Sequence, residues 1–263
     1  METPGEMILI IETGLSESFS FLPDFFHKET DVIWFMMPTV PIGSLNGVFN
    51  SKLPYDSLSC LNRIEEIMEP FKSARVPFTW YITPSCRPSN LGSLLEKEGL
   101  TYRGEDPALA LDLLELPALA IPEGLTIKLV ENSEMLEQWS GAFSKVYNIP
   151  KEKMKVSRPF HEAGGYTSDA KVQHFVGILG SEVVSTCRVA YSGNIVTLSG
   201  MAVLENHRRK GIGASMTLYP LHLAGKRGYR FAVLGSSELA LPLYEKLGFR
   251  EYCKIRNYSA KFG

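Results

Sequence analysis

Val203–Leu204–Glu205–Asn206–His207–Arg208–Arg209–Lys210–Gly211–Ile212–Gly213–Ala214 is the stretch that decides the fold, because it joins the end of a strand to the start of a helix through a short basic loop. A helix start leaves about four backbone N–H groups without partners and carries roughly half a unit of positive charge, so an anion placed there meets fixed dipoles. Gly211 and Gly213 withdraw the side chains that would hold phosphate oxygens away. Arg208, Arg209 and Lys210 concentrate positive charge here, in a chain whose formal net charge is −2. The amides of Lys210, Gly211, Ile212, Gly213 and Ala214 are therefore candidate donors to a diphosphate. On these residues alone, a basic surface turn ahead of a helix is the competing reading. A Walker loop is excluded for want of G-x-x-x-x-G-K-[ST]. A dinucleotide fingerprint is excluded for want of a third glycine and a following acidic residue.

Outward from the loop, the apolar patterning alternates. Val172–Leu179, Glu182–Tyr191 and Ile195–Val203 read as strands separated by the Gly180–Ser181 and Ser192–Gly193–Asn194 turns, which makes an antiparallel meander. Before it, Leu125–Leu129 reads as a strand. A helix opening at Asn132 or Ser133 follows, with Met135, Leu136, Trp139, Ala142, Phe143 and Val146 on its buried stripe, then a helical piece over Lys151–Phe160. After the loop come a helix to about Lys226, a strand at Phe231–Leu234, a helix at Leu239–Leu247 stopped by Gly248, and a strand from Arg250 to Tyr258. The class is α/β with a mixed sheet.

Arg208-x-x-Gly211-x-Gly213 after a strand, followed about thirty residues on by Leu243–Tyr244–Glu245–Lys246–Leu247–Gly248–Phe249, resembles the GCN5-related N-acetyltransferases (GNAT) over about residues 125 to 258. The resemblance implies an acyl-CoA N-acyltransferase fold whose sheet splays to admit acetyl-coenzyme A as co-substrate, with no metal. It implies that the Lys210–Ala214 amides hold the pyrophosphate with Arg208 and Arg209 close by, and that Ser199–Val203, including Met201, Ala202 and Val203, pairs with the pantetheine arm. Ser237 becomes a secondary contact, and Tyr244 the phenol beside sulfur. The chemistry is direct attack by a neutral amine, with a strand N–H near Met201 or Ala202 polarising the carbonyl and Tyr244 protonating the departing thiolate. The activity implied is an acyltransferase moving groups other than aminoacyl groups, acting on a primary amine of a small molecule or peptide. Many relatives carry a glutamate on the central strand as base. Ile195–Val203 holds no ionisable side chain, which leaves Glu162, His161, His174 or a water as candidates.

The first half repeats part of this pattern. Leu94–Leu95–Glu96–Lys97–Glu98–Gly99–Leu100 aligns with Leu243–Phe249, but leucine stands where the tyrosine would be, and no R-x-x-G-x-G precedes residue 200. Leu116–Gly124, with two prolines and a glycine, reads as a linker. The expectation is two GNAT-like domains in tandem, a degenerate one over residues 1–118 and a catalytic one over 119–263. Within the first, Thr13–Phe26 reads as a short helix. Leu58, Leu61, Ile64, Ile67, Met68 and Phe71 form the stripe of a longer one capped at Asp56 or Ser57, and Asn46 and Trp34 are candidate cleft residues.

Composition bounds the rest. The 263 residues are 44% hydrophobic and 21% charged, the balance of a folded protein. A slightly acidic chain lacks the positive field that nucleic acid or an anionic membrane demands, so neither is expected as a partner. The same fact weighs against a first rival function, an aminoacyl-tRNA-dependent transferase. A second rival is a non-catalytic acyl-CoA sensor. Cys60, Cys86, Cys187 and Cys253 form no CxxC pair and no ligand spacing with the five histidines, so no metal is expected, and the chain reads as a cytoplasmic monomer or homodimer.

Overall fold

A computed structural model describes residues 2–262 and shows the alternation read from the sequence. The first half runs α1 (Pro4–Glu17), β1 (Phe26–Lys28), β2 (Ile33–Phe35), β3 (Gly47–Phe49), α2 (Ser57–Ser73), β4 (Phe78–Ile82), α3 (Leu91–Lys97) and β5 (Thr101–Asp112). The second runs β6 (Leu125–Leu129), α4 (Ser133–Tyr147), α5 (Lys151–Glu162), β7 (Val172–Leu179), β8 (Glu182–Ser192), β9 (Ile195–Val203), α6 (Ile212–Lys226), β10 (Phe231–Gly235), α7 (Leu241–Lys246) and β11 (Arg250–Ala260). Two units form. One takes the chain up to Ala108 and again from Tyr252, and the other is Leu109–Glu251.

In the first unit, β1, β2 and β3 pair antiparallel, β3 lies parallel to β4 through Gly47 opposite Thr79, and β4 pairs antiparallel with β11. Helix α2 buries Cys60, Ile64, Ile67, Met68 and Phe71, a three-and-four spacing that lays one stripe on Phe78 and Trp80. Leu58, expected at the head of that stripe, is 72% exposed in the first turn. The helix expected over Thr13–Phe26 lies earlier. Thr3 and Glu6 form a capping box with Pro4 in the first turn, which starts α1 nine residues upstream and ends it at Glu17. Phe19, just past the helix, packs tilted against Phe35 and Phe49 at 4.9 and 5.5 Å.

The second unit contains the meander. Strands β6, β7, β8 and β9 pair antiparallel in sequence order, and β10 lies parallel to β9. Neighbouring residues on β7 show the two faces: Phe175 joins the core with Met216 and Leu221 of α6, whereas Val176 packs with Leu136 and Trp139 of α4. β8 is buried on both faces from Val184 to Tyr191, with Ser185, Thr186 and Arg188 among its apolar residues. The stretch expected as a linker forms no helix or strand beyond Glu115 and lies along α6, where Ser215 Oγ donates to the Ala120 carbonyl at 2.7 Å and the His222 ring meets the Pro117 carbonyl at 2.9 Å. No disulfide joins the four cysteines, each of which is buried. Among the described residues no helix is long and apolar enough to cross a membrane.

Candidate functional site

The site grows from a parting of two strands. Among the described residues β10 pairs with β9 through Phe231, Ala232 and Val233, opposite Ile195, Val196 and Thr197, and β9 continues beyond Thr197 with no paired strand on that side. Its register against β8 shifts between Thr186 and Arg188, opposite Gly200. A Cβ on Gly200 would lie 2.9 Å from Cζ2 of Trp139 and 3.2 Å from Cβ of Arg188, so only glycine fits this bulge. The extra residue resets which backbone groups face which way. Leu204 N–H bonds to the Val184 carbonyl, and Thr186 stands opposite Ala202, so residues 202 and 204 address β8 while 201 and 203 address the unpaired edge. Of the two amides expected to polarise a substrate carbonyl, this register favours Met201 and turns Ala202 away.

At the end of that edge, α6 begins. Gly211 is its N-cap with φ +78°, a conformation costly for other residues, and no side chain caps the helix. The first helical hydrogen bond runs from Ser215 N–H to the Gly211 carbonyl at 3.0 Å. The amides of Ile212, Gly213 and Ala214 precede it and stand open, which fits a diphosphate. Gly213 has a second role, since a Cβ there would come within 3.1 Å of Leu243, so its absence lets α7 approach. The three cations divide their work. Arg208 Nε donates to the Val203 carbonyl at 3.1 Å, and Lys210 Nζ to the Asn206 carbonyl at 3.0 Å. Arg209 is exposed and holds no such bond among the described residues.

Tyr244 of α7 is buried, edge-on to Phe249 at 5.7 Å, and its hydroxyl has no protein partner among the described residues. Burial raises its pKa, with Cys187 and Tyr147 adding to the effect, so the phenol keeps its proton at neutral pH. Ser237 is exposed, and its carbonyl accepts the Ala240 and Leu241 amides at 3.0 Å each; its hydroxyl caps nothing.

Tyr147 escaped the sequence reading. Its ring packs tilted against Phe143 at 4.7 Å, which stacks on Trp139 at 5.0 Å, and its hydroxyl donates to the Met201 carbonyl at 2.6 Å. The signal was present as an aromatic every fourth residue, Trp139, Phe143 and Tyr147, in line along α4.

The candidate bases come together without being poised as bases. Strand register sets His174, Arg188 and Ser199 side by side across β7, β8 and β9, and His161 Nδ1 meets His174 Nε2 at 3.1 Å. Burial pushes His161 down to about 3 and His174 well below its usual value, so both imidazoles are neutral and weakly basic. Glu162 is tied to Arg158 Nε at 2.8 Å. In the first unit, neither proposed cleft residue is free for a cleft. Asn46 is buried and bonds Met37 N–H and the Val40 and Ile42 carbonyls, which shapes its loop. Trp34 stacks on His27 at 3.7 Å and donates to Glu29. No group of three or more His, Cys, Asp or Glu side chains among the described residues is arranged to hold a metal.

Parallel strands that part in mid-course, with an uncapped helix start at the mouth of the parting, define the fold of an N-acyltransferase. Residues 170–251 match the family model described as an acetyltransferase (GNAT) domain. Similar solved structures include a GCN5-related N-acetyltransferase from Kribbella flavida, with a TM-score of 0.75 at 18% identity, covering 96% of this chain and 95% of that one. A GCN5-related N-acetyltransferase from Sphaerobacter thermophilus aligns with a TM-score of 0.66 at 13% identity, over 99% of this chain and 94% of the other. A tandem GNAT protein from the clavulanic acid biosynthesis pathway aligns with a TM-score of 0.57 at 14% identity, over 88% and 78%. At these identities the likeness concerns the fold, and it extends over both halves of the chain.

Proposed function

We propose that the second unit transfers an acetyl group from acetyl-CoA to a primary amine of a small molecule or peptide. The observation that carries this reading is the open start of α6, three unpaired amides behind Gly211, at the end of an unpaired strand edge. In this reading the Gly211–Ala214 amides and Arg209 hold the pyrophosphate, and the Met201–Val203 edge takes the amide-bearing arm as an added strand. The co-substrate supplies an activated thioester. Met201 N–H faces the carbonyl oxygen on which charge develops, and Tyr244, kept protonated by burial, gives its proton to the leaving sulfur. No side chain on β9 takes the ammonium proton, so the amine reacts from its neutral fraction after losing a proton to solvent. The same reading divides the chain into a degenerate GNAT-like half, residues 1–118, and a catalytic half, 119–263, and places the protein in the cytoplasm.

Calorimetry with CoA, followed by a screen of amines that monitors free thiol from acetyl-CoA, tests the proposal. Saturable CoA binding and amine-dependent thiol release are expected. Binding with no release from any amine would leave an acyl-CoA sensor, and no binding would end the reading altogether.

A further inference from the structure

The unpaired edge of β9 is not bare. Past the bulge, Met201 and Val203 turn their backbone groups toward it, and each carbonyl is already occupied by a side chain: Tyr147 Oη donates to Met201 O at 2.6 Å and Arg208 Nε to Val203 O at 3.1 Å. The corresponding N–H groups have no such cover. An extended ligand that adds to a strand edge needs both kinds of group, accepting from the N–H and donating to the carbonyl. The two caps therefore stand where the ligand's own amide N–H groups must go.

Tyr147 is well placed to act as a removable cap. It is the last residue of α4, followed by Asn148 in the left-handed conformation, and it is 53% exposed. Its aromatic face rests on Phe143. Its hydroxyl end is enclosed, which pushes the phenol pKa up against the opposing influence of Arg208, so it carries its donor proton throughout the neutral range. Tyr147 also lies close enough to Tyr244 to raise that phenol's pKa, which sets the cap beside the residue assigned to the leaving sulfur.

We propose that Tyr147 is a strand-edge latch: its hydroxyl holds the Met201 carbonyl until an amide-bearing arm of the acyl donor displaces it and takes the same acceptor. This rests on the acyl-CoA reading given above and extends it. The latch satisfies a strand edge that would otherwise offer itself to other chains. It also selects for the arm, because a ligand with a nucleotide but no secondary amide leaves the Tyr147 bond intact. The cost is one hydrogen bond broken on binding.

Tyr147→Phe isolates the effect, since the ring stack on Phe143 is kept and only the hydroxyl is lost. Calorimetry on the full chain should show CoA binding about 2- to 10-fold tighter in the variant, the range set by the net worth of one hydrogen bond. Adenosine 3′,5′-diphosphate, which has the nucleotide end and no amide arm, should bind no better to the variant than to the wild type. CoA affinity that is unchanged or weaker would overturn the latch, as would an equal gain for both ligands. If the wild-type chain binds no CoA, the acyl-CoA reading fails first and the latch falls with it, an outcome distinct from intact CoA binding that ignores the substitution.

Discussion

Helices α2 and α6 occupy the same place in two local arrangements, each following a strand that lies parallel to the next strand of its unit, β3 with β4 and β9 with β10. They differ at the first residue. Helix α2 is capped by Asp56, whose carboxylate accepts Ser59 N–H at 2.9 Å and is held below the usual carboxylate range by that bond. Helix α6 is capped by Gly211, which has no side chain to offer. One helix start is filled by the protein's own anion, and the other is left open, the start to which the proposed function assigns the pyrophosphate. The topology is shared, and a single carboxylate separates the capped start from the open one.

The comparison can be broken most directly by giving α6 the cap of α2. Gly211→Asp should reduce CoA affinity by about 100-fold or more, since a fixed carboxylate competes for the amides and repels phosphate. Calorimetry checks it, and unchanged affinity in a folded variant would remove the phosphate assignment. The next contrast lies at Tyr244, whose counterpart in the first unit is Leu95. Tyr244→Phe should lower kcat by about 10²-fold while CoA affinity holds, the lower range for loss of a general acid. Full turnover would return Tyr244 to the core.

A third contrast is in acid. The folded second unit keeps His161 and His174 neutral far below pH 6.5, while in the unfolded chain both take up protons near that value. The unfolded state then binds more protons, so stability falls as pH drops below about 6.5, by up to about 1.4 kcal/mol per pH unit for each histidine. For His161 the loss continues down to its folded value of about 3. The first unit has a single histidine, His27, which is partly exposed. Segment-resolved hydrogen exchange at pH 7 and 5.5 should show the second unit loosening first, with a shallower dependence in His161→Gln. Equal loosening of both units would contradict this. The smallest effect is the reverse of the first. Asp56→Ala should lower the urea midpoint slightly and leave CoA affinity untouched.

The two aligned heptads show how far local sequence reaches. Leu100 N–H bonds to the Leu95 carbonyl at 3.0 Å, and Phe249 N–H to the Tyr244 carbonyl at 3.1 Å, so both copies end their helices in the same way. That repetition was legible because every partner lies within six residues. The start of α6 was legible for the same reason. The start of α1 was missed although its capping box is equally local, because the apolar run that follows drew the reading to later residues. At the site, Tyr147 and the preference for Met201 over Ala202 were not legible at all.

From the sequence alone came the meander, the glycine loop, the starts of α2, α4 and α6, and the asymmetry between a first half without the loop and a second half with it. These follow from short-range hydrogen bonding and apolar period, which neighbouring residues set among themselves. Tertiary structure decided which amides of β9 face the open edge, that Tyr147 meets Met201 across 54 residues, and that His161 and His174 share a buried contact. Those depend on a one-residue bulge and on strand register. A shift of one position reverses the direction of every backbone group, and no local run of residues records which way it falls.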